Sequence, residues 1–121
     1  MKLNSDALIK EYIDCAIIQG EATLIGDYKS GNKAAKRLIK IYQLIEKDSI
    51  LAIKMLDVLL KDDHINVRIC ASAHALGLKI RISEATAILK EVSERNDAGI
   101  LGFNAKMALE TYNKQGYLKF Y

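Results

Sequence analysis

Ser49-Ile50-Leu51-Ala52-Ile53-Lys54-Met55-Leu56-Asp57-Val58-Leu59-Leu60-Lys61 is the stretch that decides the fold class. Its charges, Lys54, Asp57 and Lys61, recur at three and four residues, which confines them to one narrow stripe of a helix. The remainder is almost wholly apolar, so a helix here must be covered on most of its sides. Asp48-Ser49 supplies the cap that starts it. Residues 65–79 read the same way. Val67, Ile69, Cys70, Ala71, Ala73, Ala75, Leu76 and Leu78 leave little polar surface, and the small residues let neighbouring helices approach closely. These third and fourth helices are expected to be walled in from both sides.

Outward from this centre the pattern is amphipathic. Before it, Ala34, Ala35, Leu38, Ile41, Tyr42 and Ile45 form an apolar stripe opposite Lys33, Lys36, Arg37, Lys40 and Lys47, with a start expected between Ser30 and Asn32. Earlier still, Ser5-Asp6 reads as a helix start, followed by Leu8, Ile9, Tyr12, Ile13, Ala16 and Ile17 at helical spacing. Gly20 is expected to interrupt this first helix, and Gly26-Asp27 to end or kink it. After the centre, Ser83 is expected to cap a fifth helix with Ala85, Ile88, Leu89 and Val92 inward, and Asp97 a sixth with Leu101, Ala105, Ala108, Leu109 and Tyr112. Gly116 reads as its stop.

There is no proline to break these helices, and no Asn-Gly or Asp-Gly hairpin signal. The chain reads as all-α, one domain over residues 1–121. Six helices with short links fit a right-handed α-α superhelix of about three helix pairs, which the small residue four before a large aliphatic in every second helix and the near-apolar middle pair favour, or in the alternative a closed six-helix bundle. Residues 117–121, with three aromatics, are expected to pack as a cap over the last layer.

The stretch Asp62-Asp63-His64-Ile65-Asn66-Val67-Arg68-Ile69-Cys70-Ala71-Ser72-Ala73-His74-Ala75-Leu76-Gly77 resembles the inner helix of a HEAT repeat: acidic residue, Val-Arg, alanines, Leu-Gly. Gly20-Glu21-Ala22-Thr23, Gly26-Asp27-Tyr28 and Asn32 ahead of Ala34-Ala35 extend the resemblance to a small bacterial HEAT-like, armadillo-type family of unknown function. The even-numbered helices are expected to start near residues 32, 65 and 98, a spacing of roughly 33 against the ~40–47 residues of HEAT and armadillo units. The outer helices also lack the proline usual in such repeats. The resemblance implies a superhelix, a protein-binding role as an immunity or adaptor protein, and a structural ion pair between Asp62 or Asp63 and Arg68.

Composition narrows the chemistry. With 121 residues, 50% hydrophobic and 27% charged, the chain can bury one ordinary core. The start lacks the apolar stretch of a secretory signal, and no apolar run approaches the ~20 residues of a membrane span, so the expected location is cytoplasmic and no membrane partner is expected. Cys15 and Cys70 read as reduced core thiols. Asp62-Asp63-His64 is the one place where carboxylates and an imidazole adjoin, but without the spacing of a metal-ligand set it reads as a helix-entry loop. His74, among alanines, reads as a helix–helix contact, and Gly99…Gly102 lacks the strand and lysine of a phosphate loop. No catalytic residue, metal or cofactor is expected.

Charge is segregated. Residues 28–47 hold Lys29, Lys33, Lys36, Arg37, Lys40 and Lys47 against Glu46, within a chain of net charge +3. This basic patch reads first as a solvated outer face and, in the alternative, as a nucleic-acid contact. The favoured function is non-enzymatic protein binding through a concave face carrying Asn66, His74, Asn104 and Lys106, with Asp27 and Asn32 near its first turn.

Overall fold

The computed structural model describes residues 4–121, which form six helices. They are α1 (Ser5–Ile25), α2 (Tyr28–Glu46), α3 (Ser49–Leu59), α4 (Ile65–Leu78), α5 (Ile82–Ser93) and α6 (Ile100–Gln115). No strand occurs among the described residues, and none of their helices is long and apolar enough to cross a membrane.

Helix α1 is capped one residue earlier than expected. Asn4 accepts from the amides of Asp6 and Ala7 at 3.0 and 3.3 Å, so Ser5 is already helical. Nor does Gly20 interrupt α1. It lies buried where α1 meets α4, and a Cβ there would stand 2.8 Å from Cβ of Asn66. The glycine serves close helix approach, not a break. The stop comes at Gly26, whose φ of 75° closes the helix in the left-handed region.

Asp27 then caps α2 by accepting from Ser30 N, which moves the start of α2 from the expected 30–32 back to Tyr28. Asp48 caps α3 as expected, accepting from Leu51 N at 3.1 Å. Two other expected caps are replaced. Arg81, at φ 52°, precedes α5 and binds Asp57 of α3 through Nε and Nη2, so Ser83 lies inside the helix. Asp97 is taken by Arg95, and Gly99 at φ 56° leads into α6. In both places a side-chain ion pair won the carboxylate or the turn from the amides.

The core is assembled around α1. It packs closely on α2 across a two-residue link and also touches α3, α4 and α6, while α4, α5 and α6 pack in succession. Helix α4 is enclosed as expected, with Val67, Ala71, Ala75 and Leu76 wholly buried. Helix α3 is not. Leu51, Ala52, Met55, Leu56 and Leu59 face inward, but Ile50 is 82% exposed and Ile53 and Val58 also reach solvent. Its charges mark only part of the open side, and the apolar residues beside them have no neighbouring helix to cover them.

The Asp62/Asp63–Arg68 ion pair is absent. Asp62 accepts from His64 N at 2.9 Å, and His64 Nδ1, not an aspartate, caps α4 through Asn66 N at 3.1 Å. Among the described residues Arg68 forms no ion pair, and its Nε is buried without a partner. Arg68→Met, which keeps the stem and removes an unsatisfied donor, should therefore change stability by no more than about 0.5 kcal/mol. Thermal melts check this; a loss above about 1 kcal/mol would restore the ladder.

Of residues 117–121, Phe120 and Tyr121 reach back to α2 and α4, while Tyr117 and Lys119 are exposed. The rings of Phe120 and Tyr42 lie 4.9 Å apart, those of Phe120 and His74 4.7 Å, and Tyr121 bonds Glu46 through its hydroxyl. Gly77 makes the seat: a Cβ would come within 2.6 Å of Phe120 and 2.7 Å of the Tyr42 hydroxyl. The last residues thus return to α2 and α4, held also by Lys79 against the Gly116 carbonyl.

Candidate functional site: an uncharged cavity between α2 and α6

Helices α1 and α4 form the floor of a depression whose walls are α2 and α6 and whose end is closed by Phe120. Within it lies a cavity of about 270 Å³ lined by Gln19, Asn66, Cys70, His74, Asn104 and Phe120, with apolar walls from Leu38, Ile39 and Ile69. Gln19, Thr23 and Ala35 join it to a second hollow of about 190 Å³ bordered by Asp27, Tyr28, Asn32 and Ile100. The expected inner-face residues are accordingly brought together: Asn66, His74 and Asn104 on the larger cavity, Asp27 and Asn32 on the smaller. Lys106 is not. It lies on the outer side of α6 with Glu110 four residues on, at 4.0 Å, and lines neither cavity.

His74 is only 5% exposed. Its Nδ1 lies 2.6 Å from the Tyr12 hydroxyl, and its ring packs on Tyr42 and Phe120. The Tyr12 hydroxyl thus engages Nδ1 and leaves Nε2 as the ring nitrogen free for another partner. Burial pushes the His74 pKa down to about 3, because a charged ring would lose its water. The imidazole is neutral at pH 7.

Two further groups are held uncharged. Burial pushes the Cys70 thiol up to about 12, and burial, with the nearby Cys70, raises the Tyr12 phenol well above its ordinary value. The Cys70 Sγ donates to Gln19 Oε1 at 3.3 Å, and Asn66 Nδ2 donates to the Ala16 carbonyl at 2.7 Å. Cysteine and histidine four residues apart on one helix invite comparison with a nucleophile–base pair. Burial favours the uncharged form of both groups, the opposite of what a thiolate–imidazolium couple needs.

Asp63 and His64 border a separate hollow together with Glu21 and Asp97. His64 spends its Nδ1 on the α4 cap, and no group of three or more potential ligands for a metal ion occurs among the described residues.

The basic patch occupies a third side of α2. At about 100° per residue, Tyr28, Asn32, Ala35 and Ile39 face the cavities and Ala34, Leu38, Ile41 and Ile45 face the core. Lys29, Lys33, Lys36 and Lys40 form an exposed stripe away from both. Arg37 departs from it to pair with Glu11 of α1 at 2.6 Å.

Sequence reasoning missed Tyr12, Tyr42 and Phe120 as neighbours of His74, and Gln19 as a member of the same cavity lining. Each lies at an apolar or unremarkable position of its own segment, and only the packing of α1, α2 and the chain end against α4 unites them. Compared with family models, with curated proteins and with solved structures, the chain matches none.

Proposed function

We propose that the chain is a non-enzymatic binding module that takes a protein partner along the rim between α2 and α6, as an immunity or adaptor protein would. The observation that carries this reading is the exposed apolar rim. Ile100, Phe103 and Met107 follow one side of α6, and Tyr28, 80% exposed, stands across the smaller hollow from Ile100. Leu24 and Ile25 extend the patch at the end of α1. Contiguous apolar surface of this kind marks protein contacts. Charge on the two cavities is confined to Asp27, so the complementary surface would be apolar and neutral-polar. Neutral His74 and Cys70 support a role without catalysis.

The repeat architecture belongs to the same proposal. Pairing of α1 with α2 and of α5 with α6 supports helix-pair units, whereas the contacts of α1 with α3, α4 and α6 support a closed six-helix arrangement over three open layers. We favour the closed arrangement, with binding on its α2–α6 face.

Photo-crosslinking from position 103 tests the partner proposal, with position 50, an apolar position still more exposed, as the control. One discrete adduct from position 103 and none from position 50 is expected in cells that make the protein. Adducts from position 50 alone, or from neither, would reject the α2–α6 rim.

The lysine stripe favours a second reading, nucleic-acid binding. Lys29, Lys33, Lys36 and Lys40 form no ion pairs among the described residues, so four phosphate contacts are available. Log affinity for duplex DNA should then fall against log salt with a slope of about −3.6. A flat response, or no binding at low salt, removes this reading.

A further inference from the structure

We infer that the larger cavity is a binding site for a small uncharged molecule in which an aromatic or branched apolar body carries an amide or carbonyl group. The inference concerns the cavity floor and holds whether or not a polypeptide docks on the rim above it.

Size sets the first limit. At about 270 Å³ the space exceeds the ~150 Å³ that suffices for benzene and falls just under the ~300 Å³ where ordinary ligand sites begin. An occupant of roughly ten non-hydrogen atoms fits these bounds.

Charge sets the second. None of the twelve residues lining the space is an aspartate, glutamate, lysine or arginine. Its one imidazole is neutral, so an ion entering would lose water without gaining a counter-charge. Anionic and cationic occupants are disfavoured alike.

Hydrogen-bonding capacity sets the third. His74 offers Nε2, because Tyr12 occupies Nδ1, and the neutral ring presents it as donor or acceptor according to its tautomer. Asn66 is oriented by its bond to the Ala16 carbonyl, which leaves its Oδ1 as an acceptor. Gln19 Oε1 receives the Cys70 thiol, which leaves its amide nitrogen as a donor. A primary or secondary amide presents the matching acceptor and donor in one group. Leu38, Ile39, Ile69 and the Phe120 ring receive the apolar body, and Phe120 closes the end of the space. A purely apolar occupant would leave these polar atoms facing it without partners.

Benzamide, with nine non-hydrogen atoms, is the probe, and ¹H–¹⁵N NMR titration of the full chain is the readout. Saturable shifts at Gln19, Asn66, Cys70, His74 and Asn104 are expected. Benzoate and toluene should each bind at least ~10-fold more weakly, the first for its charge and the second for its missing amide. Ala73→Leu fills the space from the α4 wall and should weaken benzamide at least ~10-fold while the dispersed spectrum of a folded protein persists. Should that variant not fold, Ala35→Leu obstructs the space from α2 and carries the same expectation. Absence of saturable binding overturns the proposal. So do benzoate or toluene binding as tightly as benzamide, shifts confined to other surfaces, or indifference to the folded wall variant. Crosslinking from Phe103 reads the rim and not the cavity, so loss of either result leaves the other standing.

Discussion

Lowering the pH from 7 to 4 should cost the folded protein about 3 kcal/mol through His74 alone. The unfolded ring takes up its proton as the pH falls through its ordinary value of 6.5, whereas the folded ring resists until about 3. The unfolded state therefore binds more protons between those values. The His74 contribution is complete above 6.5 and declines by about 1.4 kcal/mol per pH unit on the way down. Groups facing the ring offer no charge to soften this: Tyr12 on α1, Tyr42 on α2 and Cys70 on α4 are all pushed further toward their neutral forms. Asp27, Asp57 and Asp97 have pKa values held below the ordinary 3.8, so their contribution is lost only at lower pH. Urea titrations between pH 7 and 4.5 isolate the histidine. His74→Gln keeps an acceptor for Tyr12 but cannot titrate, and its stability should vary with pH by about 1.4 kcal/mol per unit less than the parent's. Equal slopes in the two proteins would show that the ring is reached by water.

Leu56→Ala should cost roughly 2–5 kcal/mol, with Ile50→Ala on the same helix within about 0.5 kcal/mol. Leu56 is fully buried on the inward side of α3, which touches α1, α2 and α4, so its removal leaves a space that three helices cannot jointly close. Ile50 is 82% exposed and loses almost nothing that water was not already touching. Chemical denaturation of both variants checks the contrast. A loss below about 1 kcal/mol for Leu56→Ala would mean α3 is loosely seated, and similar losses for both would mean its open side is covered.

These contrasts mark how far the sequence could be read. The spacing of Lys54, Asp57 and Lys61 identified a helix, but local pattern cannot say how many neighbours a helix has. Nine apolar residues in that stretch implied cover on most sides, and the chain left Ile50, Ile53 and Val58 open. The cap at Asp48 was legible, because one side chain meets an amide three residues away. The caps expected at Ser83 and Asp97 failed, because Arg81–Asp57 spans 24 residues and Arg95 competes directly for Asp97. Gly20 shows the same limit: a break and a close contact have one spelling, and only the neighbour, Asn66, tells them apart.

By itself, then, the order of residues determined six helices and most of their inward faces, since periodicity and nearest-neighbour capping act within a few turns. Three-dimensional packing alone decided that α1 is the hub, that Tyr12, His74 and Phe120 meet, and that an uncharged hollow lies between α2 and α6. Those outcomes depend on contacts between residues as far apart as Tyr42 and Phe120, 78 positions along the chain, whose free energies arise from desolvation and fit when distant segments close on one another.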